Sequence, residues 1–339
     1  MSPEAYAVVL ERPGALPKPV RRAAATPGPG EVLLKIGATS VNFHDYIAAT
    51  GGLPDLLWPR VPFSDACGHI IALGEGVTEF AIGDRVIPNF FPDWRDGRPT
   101  HNNLVRVRGD QLDGALQTHM CAAADSLVAT PPHLTDTEAA TLGCAGLTAW
   151  HALFEDRRLR PGGTVLVQGT GGVSLFALGF AKMMGAAVIL TSSSDEKLAR
   201  GRALGADHTI NYKTEPAWDE AVMRITHGAG ADVVIDVGGG DTLAKSIGAA
   251  SVDGYIACIG VLTGFQTSDF PFANIMMKNL TLGGITVGSR RQLADMCKAI
   301  TAHHFRPVVS QTFSLDQAED AVQLMLTQKH FGKIAIAVD

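Results

Sequence analysis

The sequence predicts an α/β chain in which a doubly wound parallel sheet is inserted into an antiparallel, barrel-like domain. From about residue 160 to 260, short apolar runs alternate with helical stretches, the pattern of a parallel sheet covered on both faces. Residues 1 to about 125 read instead as short strands broken by turn signals: Pro27-Gly28-Pro29-Gly30, Gly51-Gly52, Gly74-Glu75-Gly76, Gly83-Asp84 and Asp113-Gly114. After about 275 two more helices precede a closing strand, Lys333 to Val338, that is expected to return to the first domain. The division is therefore 1–125, 126–274 and 275–339, the outer two forming one domain.

The elements of the middle region follow in order. Thr164 to Gln168 is a buried strand, Val173 to Met184 a helix, Ala187 to Thr191 a strand, and Asp195 to Leu204 a helix stopped by Gly205. The strand His208 to Asn211, a helix from Pro216, the strand Asp232 to Val237, a helix from about Thr242 and the strand Tyr255 to Gly260 complete the alternation. In the third region, helices are expected near Gln292 to His303 and Leu315 to Gln328. No internal repeat or low-complexity segment interrupts the chain.

Composition narrows the function classes. Of 339 residues, 46% are apolar and 18% charged, enough to bury two cores, and 37 glycines imply many tight turns. A formal charge of -6 without a Lys/Arg block offers no footprint for nucleic acid or an anionic membrane. Val173 to Leu190 carries only Lys182 as a charge, but Gly185 splits it into a helix and a strand, so it reads as sheet core rather than a membrane span. Glu4 stands where a signal peptide would be basic. Five widely spaced cysteines without a CxxC pair fit a reducing cytoplasm.

The chemistry-bearing motif is Gln168-Gly169-Thr170-Gly171-Gly172-Val173-Ser174, directly after a buried strand and directly before an apolar helix. Gly169 permits the tight turn, Gly171 lets the backbone approach a pyrophosphate, and Ser174 is small enough for close helix-strand packing. The pyrophosphate would sit on the helix N-terminus, where free N–H groups and the dipole favour an anion. The next strand ends Leu190-Thr191-Ser192-Ser193, without the carboxylate that would hydrogen-bond the ribose of NAD. Ser192, Ser193 and Lys197 are suited to a 2'-phosphate, which favours NADP(H). The bland alternative is that Ser193 and Glu196 form a capping box and Lys197 is solvated surface.

Four further segments carry a resemblance over essentially the whole chain: Pro29-Gly30-Glu31-Val32-Leu33, Val41-Asn42-Phe43-His44-Asp45, Gly74-Glu75-Gly76-Val77 with Gly83-Asp84-Arg85-Val86, and Gly146-Leu147-Thr148-Ala149. The chain resembles the medium-chain dehydrogenase/reductase family in its zinc-free, quinone-oxidoreductase-like branch. The resemblance implies a GroES-like β-barrel catalytic domain split in sequence by a Rossmann domain. It also implies roles. Thr148 would contact the nicotinamide half of the cofactor, Ser193, Lys197 and Tyr212 the 2'-phosphate, and Lys333 a C-terminal segment near the cofactor, with Gly260 and Val261 completing the cofactor set. Asn42 and Tyr46 would line the substrate pocket as catalytic residues, although Asn42 can also be read as a turn residue and Tyr46 as a wall aromatic. Zinc-dependent relatives hold the metal with Cys, His and Cys. At those positions this chain resembles them only in Cys144, with Asn42 and Asp65 at the others, and Pro88 to Gln117 lacks the structural-zinc cysteines, so no metal is expected. An irregular site using His44 and Cys67, which lie near these positions in sequence, is the alternative to that expectation.

The expected activity is NADPH-dependent hydride transfer to a small enone or quinone by a homodimer or homotetramer. NAD(P)-dependent alcohol or carbonyl interconversion and a non-catalytic NADPH-binding sensor are the alternatives. Neither nucleic acid nor membrane is an expected partner.

Overall fold

A computed structural model describes residues 4–53, 56–155 and 159–338. The chain opens with β1 (Glu4–Val9), β2 (Lys18–Ala23), β3 (Glu31–Ser40), α1 (Phe43–Ala49), β4 (Cys67–Leu73) and β5 (Arg85–Pro88). Then come α2 (His101–Leu104), β6 (His119–Ala123), β7 (Leu127–Ala129), α3 (Asp136–Ala139) and a π-helical turn, Leu142–Gly146. The middle of the chain runs α4 (Leu147–Phe154), β8 (Thr164–Gln168), α5 (Gly172–Met183), β9 (Ala187–Ser192), α6 (Asp195–Ala203), β10 (His208–Asn211), α7 (Trp218–Ile225), β11 (Ala231–Asp236), α8 (Leu243–Ala249), β12 (Ala250–Cys258), α9 (Phe272–Lys278) and β13 (Thr281–Gly284). It closes with α10 (Arg290–Ala302), β14 (Val309–Phe313), α11 (Ala318–Leu326) and β15 (Lys333–Ala337).

Two compact units result. The first, Met1–Leu147 with Val287–Asp339, holds a sheet in the order β14-β15-β3-β4-β5-β7, with β6 also paired to β3. Every pairing in it is antiparallel except β14 with β15. Val32, Leu34, Ile36, Ile70, Val86 and Leu127 alternate inward along these strands and form its core. The closing strand does return: β15 runs antiparallel to β3, with Ala335 opposite Ser40.

The second unit, Thr148–Thr286, holds six parallel strands in the order β10-β9-β8-β11-β12-β13. Strand order reverses between β8 and β11, the switch point of a doubly wound sheet. Leu166, Ile189, Val234 and Ile256 fill the face against Trp218, Val222 and Ile247, so these strands are buried runs rather than alternating ones.

The boundaries differ from the expected 125 and 275. β7 pairs with β5, which keeps residues 126–147 with the first unit, and β13 pairs with β12, which carries the second unit on to Thr286. α6 is capped by Ser194, whose side chain accepts from Lys197 N, and not by Ser193; with three serines in a row, the choice of cap is made by where the backbone leaves β9. The helix expected from Leu315 opens as a 3-10 turn and becomes α-helical at Ala318. Among the described residues no helix is long and apolar enough to cross a membrane, and the five cysteines form no disulfide.

Candidate functional site

In the second unit the glycine-rich turn leaves β8 with Gly169 at φ +72, the left-handed region that favours glycine. Gly171 is the N-cap of α5, and no side chain caps that helix end. A Cβ built at Gly171 meets nothing within 4 Å, so the backbone there faces open space into which a diphosphate can approach. Ser174 Oγ donates to Gln168 O at 2.7 Å and is buried, tying helix to strand. Thr170, Gly172 and Val173 lie in the same turn and first helical residues.

Around it, the C-terminal ends of the strands gather the other expected cofactor residues. Ser192 ends β9, Tyr212 N bonds Ser192 O at 3.1 Å, and Ser193 and Lys197 lie between these points and the first turn of α6. Burial, reinforced by Arg200 and opposed by Glu196, lowers the Lys197 ammonium from its ordinary value. Gly260 and Val261 follow β12, where a Cβ at Gly260 would meet Val237 O at 2.2 Å, so only glycine fits beside the β11 loop. That loop is held by a buried carboxylate the sequence reading missed: Asp236 Oδ1 accepts from Gly238 N, Gly239 N and Thr242 Oγ1, and Oδ2 from Ser246 Oγ. Gln168 Nε2 donates to the same Ser246 Oγ at 2.7 Å. The signal was present, as an Asp at a strand end followed by three glycines. Thr148 is buried in α4, directly after the π-helical turn.

In the first unit, β15 beside β3 brings Lys333 to Val41 and Asn42. The Lys333 ammonium donates to Val41 O at 2.8 Å and Asn42 Oδ1 at 2.5 Å, and lies 3.4 Å from Asp65 Oδ2. Asn42 Nδ2 donates to Asp65 Oδ2 at 2.8 Å and to Ser64 Oγ at 3.4 Å. Ser40 Oγ donates to Asp65 Oδ2 as well, at 2.6 Å. Lys333, Asn42 and Asp65 are 4%, 8% and 1% exposed, so this cluster is closed to solvent. Cys144, in the π-helical turn, senses the same charges: burial, then Asp65, push its thiol well above the ordinary value while Lys333 opposes. Positions 42, 65 and 144 thus come together, but around an ammonium.

All three Lys333 donors are directed at protein oxygens, and both Asn42 amide hydrogens at Asp65 and Ser64, so in this structure these two side chains brace each other. Asp45 completes the brace: it accepts from Ser64 N and Oγ at 2.9 and 2.8 Å and from Asn42 N at 2.9 Å, and its carboxyl is raised to about 6, chiefly by burial.

Segment 62–65 is held in place by the backbone. Phe63 adopts φ +76, and Cβ atoms at Gly109 and Gly114 would lie 2.9 and 2.3 Å from its backbone, so both glycines make room for it.

His44 and Tyr46 sit two residues apart on α1 and therefore point to different sides. Tyr46 packs on the apolar cluster of Val8, Val41, Phe63 and Ile336 and against Phe43, with ring centroids 6.0 Å apart; its hydroxyl makes no hydrogen bond among the described residues. His44 Nε2 lies 2.8 Å from Asp110 Oδ2, its ring edge-on to Phe90, and it remains partly exposed. Burial disfavours its charge, but the Asp110 bond and charge, with help from Asp45, outweigh that and raise its pKa. In the sequence His44 stands out only as a candidate metal ligand, because its partner Asp110 is 66 residues away.

Among the described residues no group of three or more His, Cys, Asp or Glu is arranged to hold a metal ion. The donor set around position 42 does not suit zinc either: it offers an amide already bonded twice, one carboxylate, one thiol, and a buried positive charge that repels a dication.

Comparison with known proteins agrees with this architecture. Residues 28–132 match the alcohol dehydrogenase GroES-like domain and residues 172–302 the zinc-binding dehydrogenase domain. The chain is 42% identical over 317 residues to a zinc-type alcohol dehydrogenase-like protein of Schizosaccharomyces pombe, covering 92% of each. It is 28% identical over 318 residues to acryloyl-coenzyme A reductase of Metallosphaera sedula, covering 91% of this chain and 93% of that one. Among solved structures, a Sinorhizobium meliloti protein assigned as an alcohol dehydrogenase superposes over 100% of both chains with a TM-score of 0.94 and 40% identity. An NAD-dependent alcohol dehydrogenase superposes over 98% of this chain and 100% of its own, with a TM-score of 0.90 and 32% identity. A mycobacterial protein complexed with NADPH covers 98% and 100%, with a TM-score of 0.82 and 26% identity. A GroES-like domain split around a doubly wound sheet, with family matches across both, makes this chain a member of the medium-chain dehydrogenase/reductase family of oxidoreductases.

Proposed function

We propose that this oxidoreductase uses NADP(H), without zinc, to reduce small conjugated carbonyl compounds or quinones. The carrying observation is the Lys333 ammonium among positions 42, 65 and 144: the chain has built a fixed cation where zinc-dependent relatives place their ligands. Alcohol oxidation in those relatives relies on the metal to acidify the hydroxyl. Lys333 is closed off from substrate and cannot substitute for it there.

The cofactor fits the second unit. Gly169 to Val173 would hold the diphosphate on α5, and Ser192, Ser193, Lys197 and Tyr212 the 2'-phosphate, with no carboxylate ending β9. The NADPH complex of a relative supports that reading, and a relative named NAD-dependent makes the cofactor preference worth measuring. When bound, NADPH supplies a hydride to the substrate.

Reduction of a conjugated carbonyl then needs a proton. His44 fits that role better than Asn42 or Tyr46: it is partly exposed, raised in pKa, and oriented by a buried carboxylate on its other side. The protonated imidazole would meet negative charge developing on the substrate oxygen or return a proton to carbon, Asp110 stabilising the cation. Acryloyl-coenzyme A reductase, whose name specifies reduction of an activated double bond, supports this substrate class.

The test is a panel of enones, quinones and aldehydes with NADPH, set against alcohols with NADP, in the presence of a chelator. Reduction is expected to survive chelation, and His44→Gln to lower turnover about 100-fold with cofactor affinity unchanged. Because the acid form of His44 is the active one, wild-type turnover should fall as pH rises through a value above 6.5, and His44→Gln should flatten that limb. Fast alcohol oxidation without reductase activity would promote the alcohol dehydrogenase reading; cofactor binding with no turnover at all would promote the sensor.

The same reading includes self-association. β13 is an edge strand of the parallel sheet, and Phe272, Met276 and Met277 of the neighbouring α9 are each about two-thirds exposed. A second copy pairing along β13 would cover both, and a monomer by light scattering would exclude it.

A further inference from the structure

The first unit contains a cavity of about 490 Å³ between the end of β2, β6 and the loop before it. It shares no residue with the Asn42–Lys333 cluster or with the glycine-rich turn. Three arginines line it, and two are answered: Arg22 pairs with Asp113 at 3.2 Å, and Arg106 with Asp93 at 2.7 Å. The third, Arg108, pairs with no carboxylate among the described residues. It is 4% exposed, its Nη1 lies 3.5 Å from the Met120 thioether, and its Nε has no partner among the described residues.

A thioether is a weak acceptor and leaves the guanidinium without a hydrogen-bonded counter-charge among the described residues. Buried charges persist when they are paired or bind a counter-ion; otherwise desolvation is a large cost. Here that cost is visible, since burial, with Arg106 adding to it and Glu31 and Cys121 opposing, lowers the Arg108 guanidinium to about 10. Glu31 also lines the cavity, but its Oε2 accepts from Gly28 N at 3.0 Å and makes no hydrogen bond to Arg108 among the described residues. His119, on the same wall, is lowered in pKa by burial and by Lys35, so at neutral pH it adds a neutral ring and no competing anion.

We propose that this cavity is an oxyanion site, in which Arg108, flanked by Arg106 and Arg22, takes the phosphate or carboxylate group of a small metabolite. The planar guanidinium fork matches either group with two parallel hydrogen bonds. A volume of about 490 Å³ accommodates a small molecule beyond the anionic group itself, within the roughly 300–1,000 Å³ of small-ligand pockets. Such a ligand would stabilise the first unit, in the part of the barrel between β2 and β6, independently of the cofactor.

Thermal denaturation in an anion-poor buffer tests this, with inorganic phosphate and succinate as the two probes. At about tenfold excess over its dissociation constant, a bound anion should raise the wild-type midpoint by about 3 °C. Arg108→Met, which replaces the buried charge with an apolar chain, should abolish the shift for both probes. Gly171→Ala, which obstructs the glycine-rich turn, and Lys197→Ala, at the proposed 2'-phosphate position, should both keep it, which separates this site from phosphate bound in the second unit. Should Arg108→Met fail to fold, Glu31→Gln decides, because removing the competing carboxylate should tighten phosphate binding by about threefold in calorimetric titration of the intact protein. A shift for phosphate and not succinate, or the reverse, identifies which oxyanion the site takes. Equal shifts in wild type and Arg108→Met, no shift with either probe, or unchanged affinity in Glu31→Gln would overturn the proposal.

Discussion

Two polar centres of this chain have opposite constructions. Around Asn42 and Lys333, nearly every donor meets an acceptor within the protein, and the residues are buried. At the glycine-rich turn the helix end is uncapped and a Cβ at Gly171 would meet only empty space. The first arrangement is a brace, whose donors have been consumed in holding β15, β3 and segment 62–65 together, with Asp65 Oδ1 left without a partner among the described residues. The second has unspent donors and a backbone that a ligand can approach. Residue type alone does not separate the two, since lysine and asparagine are as suited to binding as glycine; what separates them is whether the hydrogen bonds are already made.

Substitutions that should spoil a brace and spare a binding site, or the reverse, sharpen that contrast. The largest effect is expected at Lys333. Lys333→Met leaves the Asp65 carboxylate buried without its cation and should cost about 3–5 kcal/mol of unfolding free energy in a denaturant titration. Adding Asp65→Asn should recover part of that loss, and a Lys333→Met protein of wild-type stability would show that the cluster is not a brace. Gly171→Ala is the converse. Its φ of -80 suits alanine and its Cβ has room, so stability should change by less than about 1 kcal/mol, while NADPH affinity falls about tenfold in fluorescence titration because the methyl occupies the approach of the diphosphate. The smallest effect is at Lys197, where Lys197→Ala should weaken NADPH about fivefold and leave NADH unchanged, as expected for one partly exposed charge. Equal loss for both cofactors would remove Lys197 from the 2'-phosphate site.

The second unit was legible in the sequence because its information is local. A buried strand, a glycine turn and an apolar helix are contiguous in residues 164–183, and the period from Thr164 to Cys258 states the sheet directly. The departure there is local as well: the S-x-x-E pattern points to Ser193, and the cap of α6 is Ser194, one residue on. The first unit was legible as strands and turns but not as chemistry. Lys333 reaches Asn42 and Asp65 only through β15 returning to β3, and nothing in the neighbourhood of Lys333 shows that its ammonium faces inward. His44 was misread for the same reason, its partner Asp110 lying beyond any local pattern. Arg108 stands between two other charged residues and reads as surface, since burial of a single arginine leaves no mark on periodicity.

The buried ammonium of Lys333 also bears on evolutionary history. To turn this cluster into a metal site, Asn42 and Asp65 must both become metal ligands and the lysine must give up its charge, because a dication and an ammonium cannot share the space. Changing either ligand position first removes an acceptor from the lysine, and changing the lysine first strands the carboxylate, so each one-step route passes through a less stable protein. Simultaneous change avoids that valley but is rare. A lineage that acquires this arrangement is therefore held in it by the stability of the barrel, whether or not selection acts on its catalysis.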